Sequence, residues 1–159
     1  MTWFDDNLGD IANQLIRIKM EVDGKYIERD VKPDVIIDYE VLEDQLIETP
    51  QAFVYWGFML AEAKKNVATI ERAIAVRRGQ VTKTLLEEAR KEGVKLRASD
   101  IEDLVETDEQ LNQLETRLIL ANRTLSKLFA IVEAVKMKSE HLRSLAGFKK
   151  QELKDAEQP

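Results

Sequence analysis

Apolar residues recur near the end of the chain at spacings of three and four. The series is Leu111, Leu114, Leu118, Ala121, Leu125, Leu128, Val132, Val135 and Leu142. This period predicts a long helix over residues 107–146 that packs against other helices. Thr107, with Gln110 three residues later, predicts a capping box. The apolar arc is wide enough for more than one partner helix, because four further residues lie outside the series: Ile119, Leu120, Phe129 and Ile131.

A second apolar series of the same spacing lies in the middle of the chain. Its members are Phe53, Trp56, Leu60, Ala63, Val67, Ile70 and Ile74. Thr49 as cap and Pro50 at the first helical position predict where this helix begins. It is expected to loosen or bend at residues 77–80 and to end at Gly93. Two such helices predict an all-α fold: an antiparallel long-helix hairpin with short flanking helices, coiled-coil-like and oligomeric.

The first 36 residues have an ambiguous pattern. Helical spacing after Asp10, through Ile11, Leu15, Ile18 and Val22, predicts a short helix. Strict alternation over residues 16–22, followed by Asp23-Gly24, keeps a β-hairpin open as the alternative over residues 11–30. Residues 25–36 are expected to form a loop.

Further helix-start signals complete the chain. Asp38 is expected to cap a short segment that stops before Thr49, and Ser99 with Glu102 predicts a capping box for a short acidic helix. The long last helix is expected to end near Gly147. We therefore predict an acidic N-terminal extension over residues 1–36, a helical domain over 37–148 and a charged tail over 149–159.

Composition favours a soluble helical protein, with 44% hydrophobic and 34% charged residues. No apolar run reaches the roughly 20 residues that span a bilayer. The acidic start lacks the basic region of a signal peptide, and cysteine is absent, so we expect a cytoplasmic protein.

Charge is segregated along the chain, although the net charge is -6. Residues 1–50 carry 5 basic and 13 acidic side chains, and residues 64–97 carry 10 and 4. Residues 98–115 carry 7 acidic and no basic side chains, and residues 116–150 carry 8 basic and 2 acidic ones. Local fields rather than the total charge decide which partners each segment attracts.

The residues that enzymes need are missing from the sequence. His141 is the single histidine, so neither a histidine metal cluster nor the Glu-x-x-His pairs of di-iron bundles can form. Phosphate-binding glycine loops are absent as well. We expect no enzymatic activity, cofactor or metal.

Basic residues along the second helix are the candidate binding site for single-stranded DNA, because cations at such spacing can follow a phosphate backbone. They are Lys64, Lys65, Arg72, Arg77, Arg78 and Lys83. A solvated helix face is the competing interpretation. Possible secondary contacts on the last helix are Lys136, Lys138 and Arg143. The surplus apolar residues on that helix, Ile119, Leu120, Phe129 and Ile131, are the candidate subunit interface.

Aromatic residues of the second helix could in principle stack on bases. Phe53 and Trp56 occupy positions in the apolar series, which favours core packing. Phe58 lies off the series, and its role stays open.

The region from Ile37 to Glu71 resembles the UvsY-type recombination mediators of T-even-like bacteriophages. The matching positions are Ile37-Asp38, Leu42, Trp56, Lys64-Lys65 and Ile70-Glu71. As in that family, a basic segment, a variable polar stretch and a long C-terminal helix follow. The resemblance implies a ring-like homo-oligomer, a hexamer or heptamer. It also places the family's DNA contacts at Arg77, Arg78 and Lys83.

The resemblance further implies a non-catalytic mediator that binds single-stranded DNA, engages a single-strand-binding protein and helps to load a RecA-like recombinase. The alternative is a coiled-coil structural or assembly protein of the phage virion or tail-assembly type. Its basic and acidic segments would bind each other between subunits, and it would not bind DNA.

Overall fold

A computed structural model describes residues 17–22 and 25–156, except for the side chain of Asp155. Strands β1 (Arg17–Val22) and β2 (Lys25–Asp30) are followed by a short helix, α1 (Lys32–Val35), and a 3₁₀ turn (Tyr39–Val41). Three helices complete the described chain: α2 (Leu42–Glu92), α3 (Ala98–Glu106) and α4 (Glu109–Ala156).

The N-terminal strands form an antiparallel hairpin, with Arg17 opposite Asp30 and Val22 opposite Lys25. The alternation of apolar residues decides this, because it places Ile18, Met20 and Val22 together on the buried face. The predicted helix is therefore wrong over residues 17–22 and the hairpin alternative is correct there. The helix start at Asp10–Ile16 and the Asp23–Gly24 turn lie outside the described residues. The predicted loop over 25–36 is also wrong, since it contains β2 and α1.

Helix α2 begins earlier than predicted and passes through Pro50 without a break. Proline inside a helix costs about 3 kcal/mol, because it lacks an N–H and clashes with the preceding turn. The cost is offset by a buried stripe that continues across it, formed by Gln45, Thr49, Ala52, Trp56, Met59, Ala63, Val67 and Ile70. Thr49 is not a cap: its hydroxyl is buried and makes no hydrogen bond with the described residues.

Residues 77–80 remain helical, so the predicted loosening at Arg77-Arg78-Gly79 is wrong. Gly93 ends α2 as predicted, with a φ of 69°. The Gly93 N–H donates to the Arg90 carbonyl at 3.3 Å, and the Val94 N–H donates to the Ala89 carbonyl at 2.9 Å. This pattern is a Schellman motif, in which glycine adopts the left-handed conformation without steric cost.

The caps of α3 and α4 are displaced from the predicted positions, by two residues for α3 (Arg97 instead of Ser99) and by one for α4. The Asp108 carboxylate, not Thr107, caps α4 by accepting a hydrogen bond from the Leu111 N–H at 2.8 Å. Helix α3 begins at Ala98 rather than after Ser99, and Asp100 accepts a hydrogen bond from the Arg97 N–H at 3.0 Å. Gly147 does not end α4, which continues to Ala156.

The chain divides into two compact units, one containing the described residues of Met1–Glu62 and Thr124–Pro159, the other Ala63–Arg123. In the first unit the start of α2 lies beside the end of α4, where Lys149 and Glu43 are 3.6 Å apart. The helices therefore run antiparallel there. The apolar core of this unit comprises Ile18, Met20, Val22, Val31, Ala52, Trp56, Met59, Leu128, Ile131, Val135 and Leu142.

A polar cluster ties the hairpin and α1 to α2 in the first unit. Asp34 accepts hydrogen bonds from the Trp56 indole N–H at 2.9 Å and from Arg29, whose closest contact is 3.0 Å. The Arg29 guanidinium also lies 4.2 Å from the centre of the Tyr55 ring, within cation–π range. The Lys138 ammonium donates to the Pro33 carbonyl at 3.0 Å, so α4 is joined to α1.

The second unit contains the remainder of α2, all of α3 and the start of α4. Its buried apolar residues are Ala63, Val67, Ile70, Ala89, Val105, Leu111 and Ala121. The predominantly helical fold with two long helices is confirmed, with the hairpin as a small addition. None of the described helices is both long and apolar enough to cross a membrane.

Replacing Asp34 with alanine should lower the free energy of unfolding by about 2–4 kcal/mol, because the buried Trp56 N–H and the Arg29 guanidinium both lose their acceptor. Urea unfolding measures the change. Asp30→Ala is the control: Asp30 is exposed and accepts a hydrogen bond from the Lys32 N–H at 2.9 Å. Equal losses in the two variants would contradict a stabilising role for the cluster.

Gly79→Ala should raise the free energy of unfolding by about 0.5–1 kcal/mol, because glycine weakens a helix interior. An added Cβ would meet no atom within 4 Å. Gly93→Ala should lower stability by about 1 kcal/mol, because its positive φ is unfavourable for alanine. Thermal unfolding followed by circular dichroism compares the pair. Destabilisation by Gly79→Ala would show that residue 79 needs a non-helical conformation.

Candidate nucleic-acid interface

The predicted DNA-binding residues occupy different faces of α2. At 100° per residue, Lys65, Arg72 and Lys83 align to within about 20°, and all three are exposed. Arg90, which sequence reasoning missed, falls on the same line and is also exposed. We call these four residues the outer row. It lies roughly 160° around the helix from the buried Ala63, Val67 and Ile70 and extends for about 38 Å.

The outer row is a solvent-facing line of positive charge. Arg72 and Arg90 have no carboxylate partner among the residues that the structure describes. Lys83 makes only a loose contact, with its ammonium 3.9 Å from Glu87 on the next turn. Such exposed pairs contribute little to stability. Lys64 is exposed too, but it projects about 100° away from the row.

Arg77 and Arg78 flank the buried stripe, each roughly 50° from its centre. From these positions both reach carboxylates at the start of α4, Arg77 half-buried and Arg78 still exposed to solvent. Arg77 forms a bidentate ion pair with Asp108, with Nε–Oδ1 and Nη2–Oδ2 distances of 2.9 and 2.6 Å. Arg78 makes one hydrogen bond, from Nη2 to Glu115 Oε1 at 2.8 Å. Both arginines are therefore paired with carboxylates, and neither lies in the outer row.

The pair between Arg77 and Asp108 is integral to the start of α4. Hydrogen bonds from Arg77 and from the Leu111 N–H hold the pKa of Asp108 below its ordinary value, and the Asp108 carboxylate correspondingly raises the pKa of Arg77. Beside the pair is a groove of about 180 Å³ lined by Arg77, Gln80, Val81, Thr84, Leu85 and Asp108. Asp108 therefore serves two helices at once, as partner for α2 and cap for α4.

The predicted secondary contacts on α4 divide into exposed and buried residues. Lys136 and Arg143 are exposed. Lys138 is only 5% exposed, and its ammonium is committed to Pro33. Burial lowers the pKa of Lys138, while the nearby Asp34 and Glu48 carboxylates act in the opposite direction. Lys138 is thus a core residue, and the expectation that it contacts DNA is corrected.

The four residues predicted to form the subunit interface are likewise not all exposed. Ile119, Leu120 and Phe129 are exposed on α4, as a subunit contact requires. Ile131 is 7% exposed and belongs to the core of the first unit, so it presents no surface to a neighbouring subunit. Leu128 and Ile131 are buried at a spacing of three, whereas Phe129 between them points outward.

The aromatic residues of α2 differ in exposure. Trp56 is buried, as its place in the apolar series predicts, whereas Phe53 is exposed even though it belongs to the same series. Phe58 is exposed as well. The buried stripe contains Ala52 and Met59 instead of Phe53 and Leu60, but it keeps Trp56, Ala63, Val67 and Ile70 of the predicted series.

Sequence reasoning missed the carboxylates that bind the two arginines. Asp108 and Glu115 are seven residues apart, which places them on one face of α4. The segment that contains both, residues 98–115, carries acidic side chains and no basic ones. This charge asymmetry was the signal in the sequence that could have identified them as partners of the arginines. His141 is exposed, and the described residues contain no group of three or more histidine or acidic side chains that could hold a metal.

The fold is similar to that of crystal structures of the recombination mediator protein UvsY from bacteriophage T4. One crystal form gives a TM-score of 0.61 at 16% identity and covers 91% of this chain and 98% of that one. A second gives 0.60 at 18%, with 77% and 95% covered, and a third gives 0.59 at 16%, with 92% and 97% covered. No family model matches the chain. No curated protein matches it in sequence. The resemblance read from the sequence is thus confirmed as a shared fold.

Asp108→Asn should make stability less sensitive to acid. The pKa of Asp108 is lower in the folded protein than its ordinary value of 3.8, so the unfolded chain binds more protons at low pH. The contribution of Asp108 is fully present above about pH 4–5 and is lost as pH falls through its folded pKa. Urea unfolding at several pH values should show lower stability at pH 7 and a shallower acid decline for the variant.

Asp103→Asn is the control for that experiment, because Asp103 is exposed on α3 and has no hydrogen-bond partner among the described residues. It should keep the wild-type dependence on pH. An unchanged acid decline in Asp108→Asn would show that Asp108 does not stabilise the folded state through its charge.

Proposed function

We propose that this protein is a non-catalytic recombination mediator that binds single-stranded DNA and helps a RecA-like recombinase to load. The observation that carries the proposal is the outer row on α2, within a fold shared with a phage recombination mediator. A polyanion can follow the row because successive cations face solvent on one side of a single helix. Lys64, an exposed cation of the same unit, could extend the path. Lys136 and Arg143, exposed on α4 in the first unit, are proposed as separate secondary contacts.

The DNA contacts in this proposal are electrostatic. Lysine and arginine on a helix can neutralise phosphates without reading bases, which suits a protein that must accept any sequence. The exposed Phe58 could add a stacking surface. A homo-oligomer, with Ile119, Leu120 and Phe129 among its subunit contacts, would repeat the row, and linked weak sites would hold a flexible strand. A single-strand-binding protein is a further proposed partner.

An assembly protein without DNA binding remains the second candidate. One observation favours it: Arg77 and Arg78, two of the predicted DNA contacts, are already paired with carboxylates of the same chain. The basic and acidic segments can therefore neutralise each other's charges by ion pairing. Such a protein would not bind DNA at low salt, and the two candidates are therefore separated by one titration.

The double variant Arg72→Ala with Lys83→Ala should weaken binding of a fluorescently labelled oligothymidylate. The salt dependence of binding should also fall, with the slope of log K against log salt reduced by about 1.4 for two lost phosphate contacts on a single strand. Fluorescence anisotropy at several salt concentrations gives both quantities. Alanine favours helix, so α2 should stay folded.

The matched control removes two exposed cations from the hairpin, Arg17→Ala with Lys19→Ala, both of which lie near Glu28. It should leave the slope unchanged. No binding by the wild type at low salt would refute the proposed function. Equal losses in the two double variants would refute the assignment of the outer row.

A further inference from the structure

We propose that Glu115 acts as an intramolecular competitor for phosphate at Arg78, so that single-stranded DNA must displace it, whereas the neighbouring Arg77 is a structural residue that DNA leaves in place. The inference rests on the proposed function and adds to it a division of roles between two adjacent arginines. It makes Glu115, on α4, a residue that sets the affinity of a site on α2.

The two ion pairs differ in the number of bonds that must be broken. Arg77 engages both carboxylate oxygens of Asp108. Asp108 is also held by the Leu111 N–H, so releasing it would uncap α4. Arg78 has one hydrogen bond to Glu115 and no other partner among the described residues. Breaking the second pair disturbs neither helix.

The pairs also differ in access. The side chains of Arg77 and Asp108 are 30% and 16% exposed, and those of Arg78 and Glu115 are 54% and 41% exposed. An incoming polyanion therefore reaches Arg78 far more readily than Arg77. Water also reaches both members of the exposed pair, so their separation leaves no buried charge without a partner.

A phosphate can replace the Glu115 carboxylate in stages. Arginine presents five N–H donors in a planar fork, and Arg78 uses a single nitrogen, Nη2, for Glu115. A phosphate oxygen can first bind the nitrogens that face away from Glu115 and then take the remaining donor. Carboxylate and phosphate make the same type of charge-assisted bond to arginine, so this is an exchange between equivalent ligands.

The size of the effect follows from the exposure of the pair. An exposed ion pair of this kind corresponds to a factor of about two to five in an equilibrium constant. Removing the competing charge should therefore tighten binding by about two- to five-fold at each site. The carboxylate in this way restrains the affinity of the protein for single-stranded DNA.

The test compares Glu115→Gln with Glu109→Gln, each made in the wild type and in Arg78→Ala. Both substitutions remove one negative charge from the start of α4. Glu109 is exposed and bonds to Gln113 at 3.3 Å rather than to an arginine. Affinity for a labelled oligothymidylate is measured by anisotropy at low salt, and circular dichroism verifies that each variant is folded.

Glu115→Gln should tighten binding by about two- to five-fold, Glu109→Gln should have a clearly smaller effect, and the difference should vanish in Arg78→Ala. Equal tightening by both would overturn the inference, because it would indicate a general charge effect. Persistence of the difference without Arg78 would overturn it too. If the wild type binds DNA and Glu115→Gln binds it with unchanged affinity, the proposed competition is refuted while the proposed function stands. Absence of binding by every variant would refute the proposed function itself.

Discussion

The buried stripe of α2 determines which way every charged residue on that helix faces. Fully burying one large apolar side chain contributes about 1.5–3 kcal/mol, and the stripe continues from Gln45 to Ile70. That sum exceeds the roughly 3 kcal/mol cost of Pro50 and the roughly 1 kcal/mol cost of Gly79. The helix therefore stays continuous where local signals favour a stop or a bend. Because it is continuous, the angles between its side chains are fixed, and the outer row faces solvent.

The polar cluster of the first unit is a second constraint, and it is not visible in local sequence patterns. Asp34 bonds to Arg29 and to Trp56, 22 residues further along the chain, and Lys138 reaches Pro33 over 105 residues. Burying these charges costs free energy unless each finds a partner. The cluster meets that condition and links the hairpin, α1, α2 and α4. Lys138, which resembles a surface cation in the sequence, is for this reason part of the core.

Periodicity predicted the two long helices because burial on one face imposes a helical spacing that needs no knowledge of the partner. It also indicated the end of α2 at Gly93, since a left-handed residue is a local requirement. The hairpin was harder to assign, because residues 11–22 fit both periods and only packing of Ile18, Met20 and Val22 selects one. The α4 cap was displaced by one residue from its predicted position, because the carboxylate of Asp108 both accepts from the Leu111 N–H and pairs with Arg77.

The candidate site was predictable as a set of basic residues but not as a geometry. A sequence shows that Arg72 and Arg78 lie on one helix, yet only the buried stripe shows that Arg72 points away from the packed face whereas Arg78, also exposed, lies within reach of Glu115 on α4. The acidic segment of residues 98–115 then acquires a defined role. Asp108 forms a bidentate ion pair with Arg77, and Glu115 forms a more exposed ion pair with Arg78. In the proposed function, a protein with a net charge of -6 can bind a polyanion because its charges are segregated: the outer row carries exposed cations, whereas Asp108 and Glu115 contact a different face of α2, at Arg77 and Arg78.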